Sequence, residues 1–366
     1  MKKNTVRILG TRGVPAAHGG FETFAEHLAL YLVNKGWEVI VYCQVDGEGP
    51  IFEDSWQGVK RVNIPVKTSG AAGTIIFDLK STLHTARSKD LVLTLGYNTA
   101  IFCLIYRLRG ITNLINMDGI EWHRQKWGKV AKFWFWLNDW AGSWLGNHLI
   151  ADHPEIARHL ESRVRAEKIT TIPYGADKVT AAKLDYLEKY DLQAGKYAIL
   201  IARAEPENSI LEVVKAWSRT RRNAKLVVLG KYAAEHAYQQ RVKAAASDEV
   251  IFLGAIYEKP VVESLRYFSM AYIHGHQVGG TNPSLVEALA AGNPVLAHDN
   301  KFNRWVAGDG AAYFANEDEC AQKVTEILPV SSTLETMETA SYKRHDESFT
   351  WTAVLGDYEK LLLKFL

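Results

Sequence analysis

What most constrains this chain is a strand that runs into a glycine-rich loop and then a helix, met near the start of each half. VRILG, ending at residue 10, is a short apolar strand. It enters TRGVPAAHGGFE, where Gly13, Pro15, Gly19 and Gly20 interrupt regular structure. A helix follows over residues 21 to 35, with Phe24, Leu28, Tyr31 and Leu32 on one face. Gly36 stops it, and the next strand covers residues 38 to 43. Apolar strands alternating with helices recur at 90–95, 114–117, 148–151 and 169–172, then at 197–203, 226–230, 250–254, 271–274 and 294–298. That rhythm predicts an α/β protein with parallel sheets and functional groups at the carboxyl ends of the strands. The first-turn glycines do not have the dinucleotide spacing, and Cys43-Gln44 stand where an acidic residue would close the second strand, so a nicotinamide site is not indicated.

The 366 residues exceed what one core usually supports, which predicts two domains. The boundary falls between Asp177 and Gly195, with 181–190 as a polar helical connector, giving domains over 1–178 and 195–350. The tail, 351–366, reads as a final amphipathic helix. A net charge of +2 offers nothing to nucleic acid, and the three separated cysteines show no ligand spacing. Met1-Lys2-Lys3 leads directly into a strand, and no apolar run reaches the roughly 18 residues of a spanning helix. The expectation is a cytoplasmic protein, with contact at the inner face of a membrane as a finer alternative.

That alternative rests on KWGKVAKFWFWLNDWAGSWLG, a helix with Trp136, Trp140 and Trp144 every four residues and Lys126, Lys129 and Lys132 at its start. A wide aromatic face usually packs on a core, and core packing is the expectation here; a helix lying in a bilayer interface is the other reading.

The stretch HGHQVGGTNPSLVEALAA, residues 274–291, holds the expected working end of the second half. A strand ends at His274, Gly275, Gly279 and Gly280 make a loop, and a helix begins near Asn282 with Thr281 or Asn282 as its cap and Pro283 in its first turn. An open helix start would present amides and partial positive charge to a phosphate. Arg203, ending the first strand of this half, could hold a diphosphate by forked hydrogen bonds, or pair with Glu205 or Glu207. Glu287 could accept from ribose hydroxyls, or simply face solvent. His274 and His276 could hydrogen-bond the turn. In the first half, Asp118 and Glu121 follow a strand end and are the candidate general bases, while His18 is a candidate in the first loop. No carboxylate pair is placed to hold a metal. Two such sheets facing each other would form a cleft between their strand ends.

At these residues a family resemblance appears. GTRGVPAAHGGFETFAEHLALYL, NMDGIEWHRQKW, IPYGAD, ARAEPENSI and GGTNPSLVEALAAGNPVLAHDNKFNR resemble, in order, the motifs of the rhamnosyltransferase-like branch of glycosyltransferase family four, across nearly the whole chain. The resemblance implies a GT-B fold: two Rossmann-like domains facing each other across a cleft, with the C-terminal helix returning to the N-terminal domain. It implies metal-independent transfer from a nucleotide diphosphate sugar, here dTDP-rhamnose, to a saccharide or lipid-linked saccharide in bacterial polysaccharide synthesis, with no separate cofactor. Arg203 takes the place of the family's diphosphate arginine, and Glu287 that of its second paired glutamate. The family's lysine is Asn208 here and its first glutamate is Gly279, so the turn through Gly280, Thr281, Asn282, Ser284 and Leu285 would reach the donor instead. The loop with Gly13, His18, Gly19, Gly20, Phe21 and Glu22 would serve the acceptor side. Asp118 would be the base if the reaction inverts; a retaining reaction needs none. The alternatives are a non-catalytic nucleotide-sugar-binding subunit and a nucleotide-sugar 2-epimerase.

Overall fold

The computed structural model describes residues 3–17, 19–233 and 235–366. The chain divides into two compact units, Met1–Pro173 with Trp351–Leu366, and Tyr174–Thr350.

The first unit is built on strands β1 (Thr5–Leu9), β2 (Glu38–Asp46), β3 (Phe52–Trp56), β4 (Val59–Val66), β5 (Leu91–Leu95), β6 (Asn113–Asn116), β7 (His148–Ala151) and β8 (Ile169–Thr171). They form one sheet in the order β3-β4-β2-β1-β5-β6-β7-β8. All neighbours are parallel except β3 and β4. Its helices are α1 (Gly20–Asn34), α2 (Gly70–Thr85), α3 (Leu104–Arg109), α4 (Lys129–Leu145) and α5 (Pro154–Glu161). The strand order reverses at β1: α1 leads one way to β2, and α2 to α5 lead the other. Right-handed crossovers therefore put α1 on one face and α2 to α5 on the other. The C-terminal helix, Trp351–Leu363, packs on α1 through Phe24, whose ring lies 6.4 Å from Trp351 and 4.6 Å from Tyr358.

Three local features depart from the sequence reading. The charged run over 46–58 carries the antiparallel edge strand β3, whose exposed Glu53 and Asp54 suit an unpaired margin. The helix expected over 97–109 is a tight 3-10 turn, Ala100–Cys103, followed by the short α3. The polar connector over 181–190 is helical only at Asp185–Glu188.

The largest departure is α4. It buries Asn138, Asp139, Gly142 and Ser143 and turns its aromatic stripe outward, against the expectation of core packing. The cause is a buried polar knot: Asp139 accepts from Trp122 Nε1 at 2.7 Å, contacts His159 Nε2 at 3.1 Å and pairs with Arg163. Asn138 Oδ1 accepts the Ile101 amide at 3.0 Å. A buried carboxylate costs too much to leave unpaired, so those partners decide which side faces in.

The second unit begins with helix α6, that same Asp185–Glu188 turn, and carries strands β9 (Tyr197–Ile201), β10 (Lys225–Leu229), β11 (Val250–Gly254), β12 (Ala271–His274), β13 (Val295–His298) and β14 (Ala312–Phe314). They form an all-parallel sheet in the order β11-β10-β9-β12-β13-β14. Its other helices are α7 (Ile210–Ser218), α8 (Ala237–Ala244), α9 (Lys259–Tyr267), α10 (Pro283–Ala290), α11 (Lys301–Ala307), α12 (Glu317–Ile327) and α13 (Ser331–Ser348). β9 sends Tyr197 and Ile199 into one core and Ala198 and Leu200 into the other, which is why it reads as an unbroken apolar run. The order reverses between β9 and β12, so the crevice beyond their carboxyl ends is where a ligand is expected in a sheet of this kind.

Candidate functional site

In the second unit the site residues gather at the ends of β9, β12 and β13. Arg203 follows β9 and is exposed. Among the described residues its guanidinium makes no ion pair, with Glu205 or Glu207 or any other carboxylate. Asn208, five residues on, is buried, and its Nδ2 donates to the Arg203 carbonyl at 2.8 Å. The side chain that stands where the resemblance has a lysine thus closes the turn that carries Arg203. Gln277 extends the stitching: its amide donates to the Glu207 carbonyl and its side chain to Ser209 Oγ, both at 2.9 Å. Asn300 and Asn303 both donate to the His276 carbonyl, at 3.0 and 2.8 Å. Neutral amide side chains thus hold three strand-end loops in register.

The start of α10 is less open than its sequence implies. Asn282 Oδ1 accepts the Ser284 amide at 3.0 Å, Pro283 has no amide hydrogen, and the Leu285 amide donates to the Asn282 carbonyl at 3.1 Å. Leu285 itself lies wholly in the core. The expectation of open donors at Ser284 and Leu285 is thereby corrected, because the helix caps itself. The backbone ahead of the cap, at Gly279 and Gly280, is what a ligand could approach; Thr281 is buried, which corrects its place among the donor contacts. Gly279 has φ +146° with open space where a Cβ would stand. Its backbone conformation, rather than crowding, is what demands glycine there.

Glu287 is held from below. Arg266 Nη2 reaches Glu287 Oε2 at 2.5 Å and donates to Ser284 Oγ at 3.1 Å. Ser284 Oγ in turn lies 2.7 Å from the Tyr272 hydroxyl, which burial pushes up to about 12 in pKa. Arg266 is buried on α9, and sequence reasoning missed it. Its signal was an arginine one residue past Leu265 on the inward side of a helix, a place arginine takes only with a partner. His274 and His276 stack with centroids 4.3 Å apart. Burial first, then the neighbouring His276 and His298, holds His274 well below the usual imidazole range, so it stays neutral.

In the first unit the loop after β1 is drawn onto α1. Glu22 Oε1 accepts the Arg12 amide at 3.3 Å and Glu26 Oε2 the Ala16 amide at 2.6 Å. Gly13 sits at φ +121°, and a Cβ there would come 2.6 Å from Cys43 Sγ, so the loop crosses β2 only as glycine. Gly19 and Gly20 open α1 without a side-chain cap, and Phe21 is half-buried at its first turn. His18 lies outside the described residues.

Asp118 and Glu121 differ sharply. Asp118 follows β6 with φ +53°, its amide donating to Asn116 Oδ1 at 3.0 Å. Burial first, then the nearby Glu121 charge, raises its pKa to about 6, against the opposing pull of the Gly119 amide, Arg124 and Lys126. Glu121 is occupied: Arg124 lies 2.9 Å and Lys126 3.8 Å from its oxygens, and Trp127 Nε1 donates to it at 3.0 Å. Its oxygens are thus taken up by two cations and an indole N–H. Among the described residues no group of three or more His, Cys, Asp or Glu side chains is gathered as a metal-binding set.

Comparison with known proteins supports the architecture. No curated protein matches the sequence. Among solved structures, sucrose-phosphate synthase from Thermosynechococcus elongatus superposes with a TM-score of 0.82 at 16% identity, covering 99% of each chain. Anabaena HepE in complex with UDP and glucose gives 0.78 at 13% identity, over 99% of this chain and 100% of that one. An alpha,alpha-trehalose-phosphate synthase (UDP-forming) from Burkholderia xenovorans, in complex with glucose-6-phosphate, gives 0.76 at 11% identity, over 98% and 100%. At such identities the likeness shows the fold. Residues 3–177 match a family described as a domain of unknown function, DUF1972, and residues 186–344 match the family described as glycosyl transferases group 1. With a doubly wound sheet in each unit, the chain has the two-domain GT-B fold, and its second unit matches the family of group 1 glycosyl transferases.

Proposed function

We propose that the protein moves a sugar from a nucleotide diphosphate sugar to a saccharide or lipid-linked saccharide acceptor, as a member of the rhamnosyltransferase-like branch using dTDP-rhamnose. Arg203 carries this reading: an exposed guanidinium without an ion pair at the end of β9, on a turn held by Asn208. It would neutralise the departing diphosphate by forked, charge-assisted hydrogen bonds. Gly280 would add a backbone contact to the donor. Glu287, steadied by Arg266, would accept from the ribose hydroxyls. UDP and glucose bound to HepE, and the UDP-forming reaction of the trehalose-phosphate synthase, support a donor of this class.

On the acceptor side, the loop with Gly13, Gly19, Gly20, Phe21 and Glu22 and the carboxylate of Asp118 would position the incoming hydroxyl. In an inverting reaction the hydroxyl proton passes to Asp118, whose pKa of about 6 suits a base working near neutrality. In a retaining reaction the leaving phosphate takes that proton and Asp118 anchors the acceptor. The reaction would run without a metal, in the cytoplasm at the inner membrane face, as a step in polysaccharide synthesis.

Asn208 and Gly279 stand where the family has a cation and a carboxylate, and this favours one second reading, a nucleotide-sugar-binding subunit without turnover. Thermal-shift measurements with dTDP, UDP and GDP identify the base, because a ligand that binds only the folded state raises the melting temperature. Release of dTDP from dTDP-rhamnose in the presence of acceptor separates enzyme from binder. Stabilisation by dTDP without turnover, across saccharide and lipid-linked acceptors, would favour the binder.

A further inference from the structure

We infer that the outward face of α4 is a docking surface for an anionic lipid bilayer. This deepens the membrane location proposed above and does not depend on which sugar is transferred. The helix is inverted relative to an ordinary surface helix. Asn138, Asp139 and Ser143 face the core, while Val130, Phe133, Trp136 and Trp144 are 85%, 63%, 41% and 59% exposed. The rings run as a ladder along the helix, with centroids 6.0 Å apart from Phe133 to Trp136, 6.3 Å to Trp140 and 5.1 Å to Trp144. Burying such side chains is favourable, so leaving several in water on a helix fixed by a polar knot calls for a partner. The same layer exposes Leu104 and Leu108 of α3.

Charge identifies the partner. Between residues 122 and 151 Asp139 is the only acidic residue, and it is buried and paired. Lys129 and Lys132 stand in the first turn of α4, beside its aromatic stripe, and make no ion pair among the described residues. Cations at a helix N-terminus oppose the helix dipole, so helix stability does not account for them. Exposed tryptophans with flanking lysines and no acidic neighbours match the boundary of a bilayer with anionic headgroups, where the rings sit at headgroup depth and the lysines reach the phosphates. No helix among the described residues is long and apolar enough to cross a membrane, so this contact is peripheral.

The test is co-sedimentation of the full chain with vesicles of phosphatidylcholine, with and without phosphatidylglycerol, in the absence of any sugar substrate. Failure here thus leaves the transferase reading untouched. The protein should pellet with the anionic vesicles and less with the neutral ones, and tryptophan emission should shift to the blue on binding. Lys129→Gln with Lys132→Gln should lower the partition coefficient by about fivefold per lysine. Phe133→Ser with Trp144→Ser should lower binding to both vesicle types, with the melting temperature confirming that each variant folds. Wild-type protein that stays in the supernatant, or variants that pellet like wild type, would overturn the inference. Self-association lost in Phe133→Ser with Trp144→Ser, without vesicle binding, would assign the face to a second copy of the chain instead.

Discussion

Replacing Asp118 by asparagine should make the protein more stable and nearly inactive at once. Asp118 is a carboxylate whose pKa rises from 3.8 to about 6 on folding, chiefly through burial. The folded state therefore holds the proton more tightly than the unfolded chain, and stability falls as pH climbs between those values. At about 1.36 kcal/mol per pH unit the full loss is about 3 kcal/mol. The side chain keeps some solvent contact, so about 2 kcal/mol is the working figure. Asparagine has the same shape, carries no charge, and tolerates the φ of +53° at this position. The variant should melt about 4–8 °C higher at pH 7.5, given about 2–4 °C per kcal/mol for a domain of 150–250 residues. At pH 5, where the wild-type carboxyl is largely protonated when folded, the gap should shrink by about half. Sugar transfer should fall about 10²- to 10⁴-fold if the carboxylate takes the acceptor proton. Calorimetric melts at the two pH values and a turnover assay read both effects. A melting temperature unchanged at pH 7.5, or a gap that does not narrow in acid, would refute the burial argument; near-normal transfer would remove Asp118 from the chemistry.

Other outcomes follow from the donor side. Arg203→Ala should weaken nucleotide diphosphate binding by about 10- to 100-fold by titration calorimetry, since a hydrogen bond to a charged group is worth about 1.5–3 kcal/mol. It should leave the melting temperature unchanged, because the guanidinium makes no ion pair among the described residues. Arg266→Met removes the buried partner of Glu287 and should cost about 2 kcal/mol, less than the 3–5 kcal/mol of a fully buried pair because Glu287 reaches solvent. It should also weaken nucleotide binding as Glu287 loses its support; an unchanged melt would show the pair to be idle. Gly279→Glu, which restores the family's missing carboxylate, should lose about 1–3 kcal/mol of stability to backbone strain at φ +146° and gain no donor affinity in a thermal-shift assay.

Much of the fold was legible because parallel strands buried on both faces are written as apolar runs. YAILI of β9 and LVLTL of β5 could hardly be anything else between helices with caps and glycine stops. The antiparallel edge β3 was not legible, since an exposed strand needs no apolar face. Among the candidate residues, Arg203 was named from its place at a strand end and Asp118 from the strand before it. Arg266 was not, because its importance lies in contacts with Glu287 and Ser284, which are distant in sequence.

Local composition and periodicity alone determine that this chain alternates strand and helix, that glycine-rich turns follow β1 and β12, and that α4 carries an aromatic stripe beside three lysines. These are properties of neighbouring residues, and neighbours in sequence are enough to specify them. Which way α4 turns, which of two nearby carboxylates is tied up by cations, and whether the amides opening α10 are open or capped were decided only by tertiary structure. Each depends on a partner brought from elsewhere in the fold or on a local bond chosen among several: Arg163 and His159 for Asp139, Arg124 and Lys126 for Glu121, Asn282 for Ser284. Burial sets the cost of leaving a polar group alone, and the partners at hand determine how that cost is met.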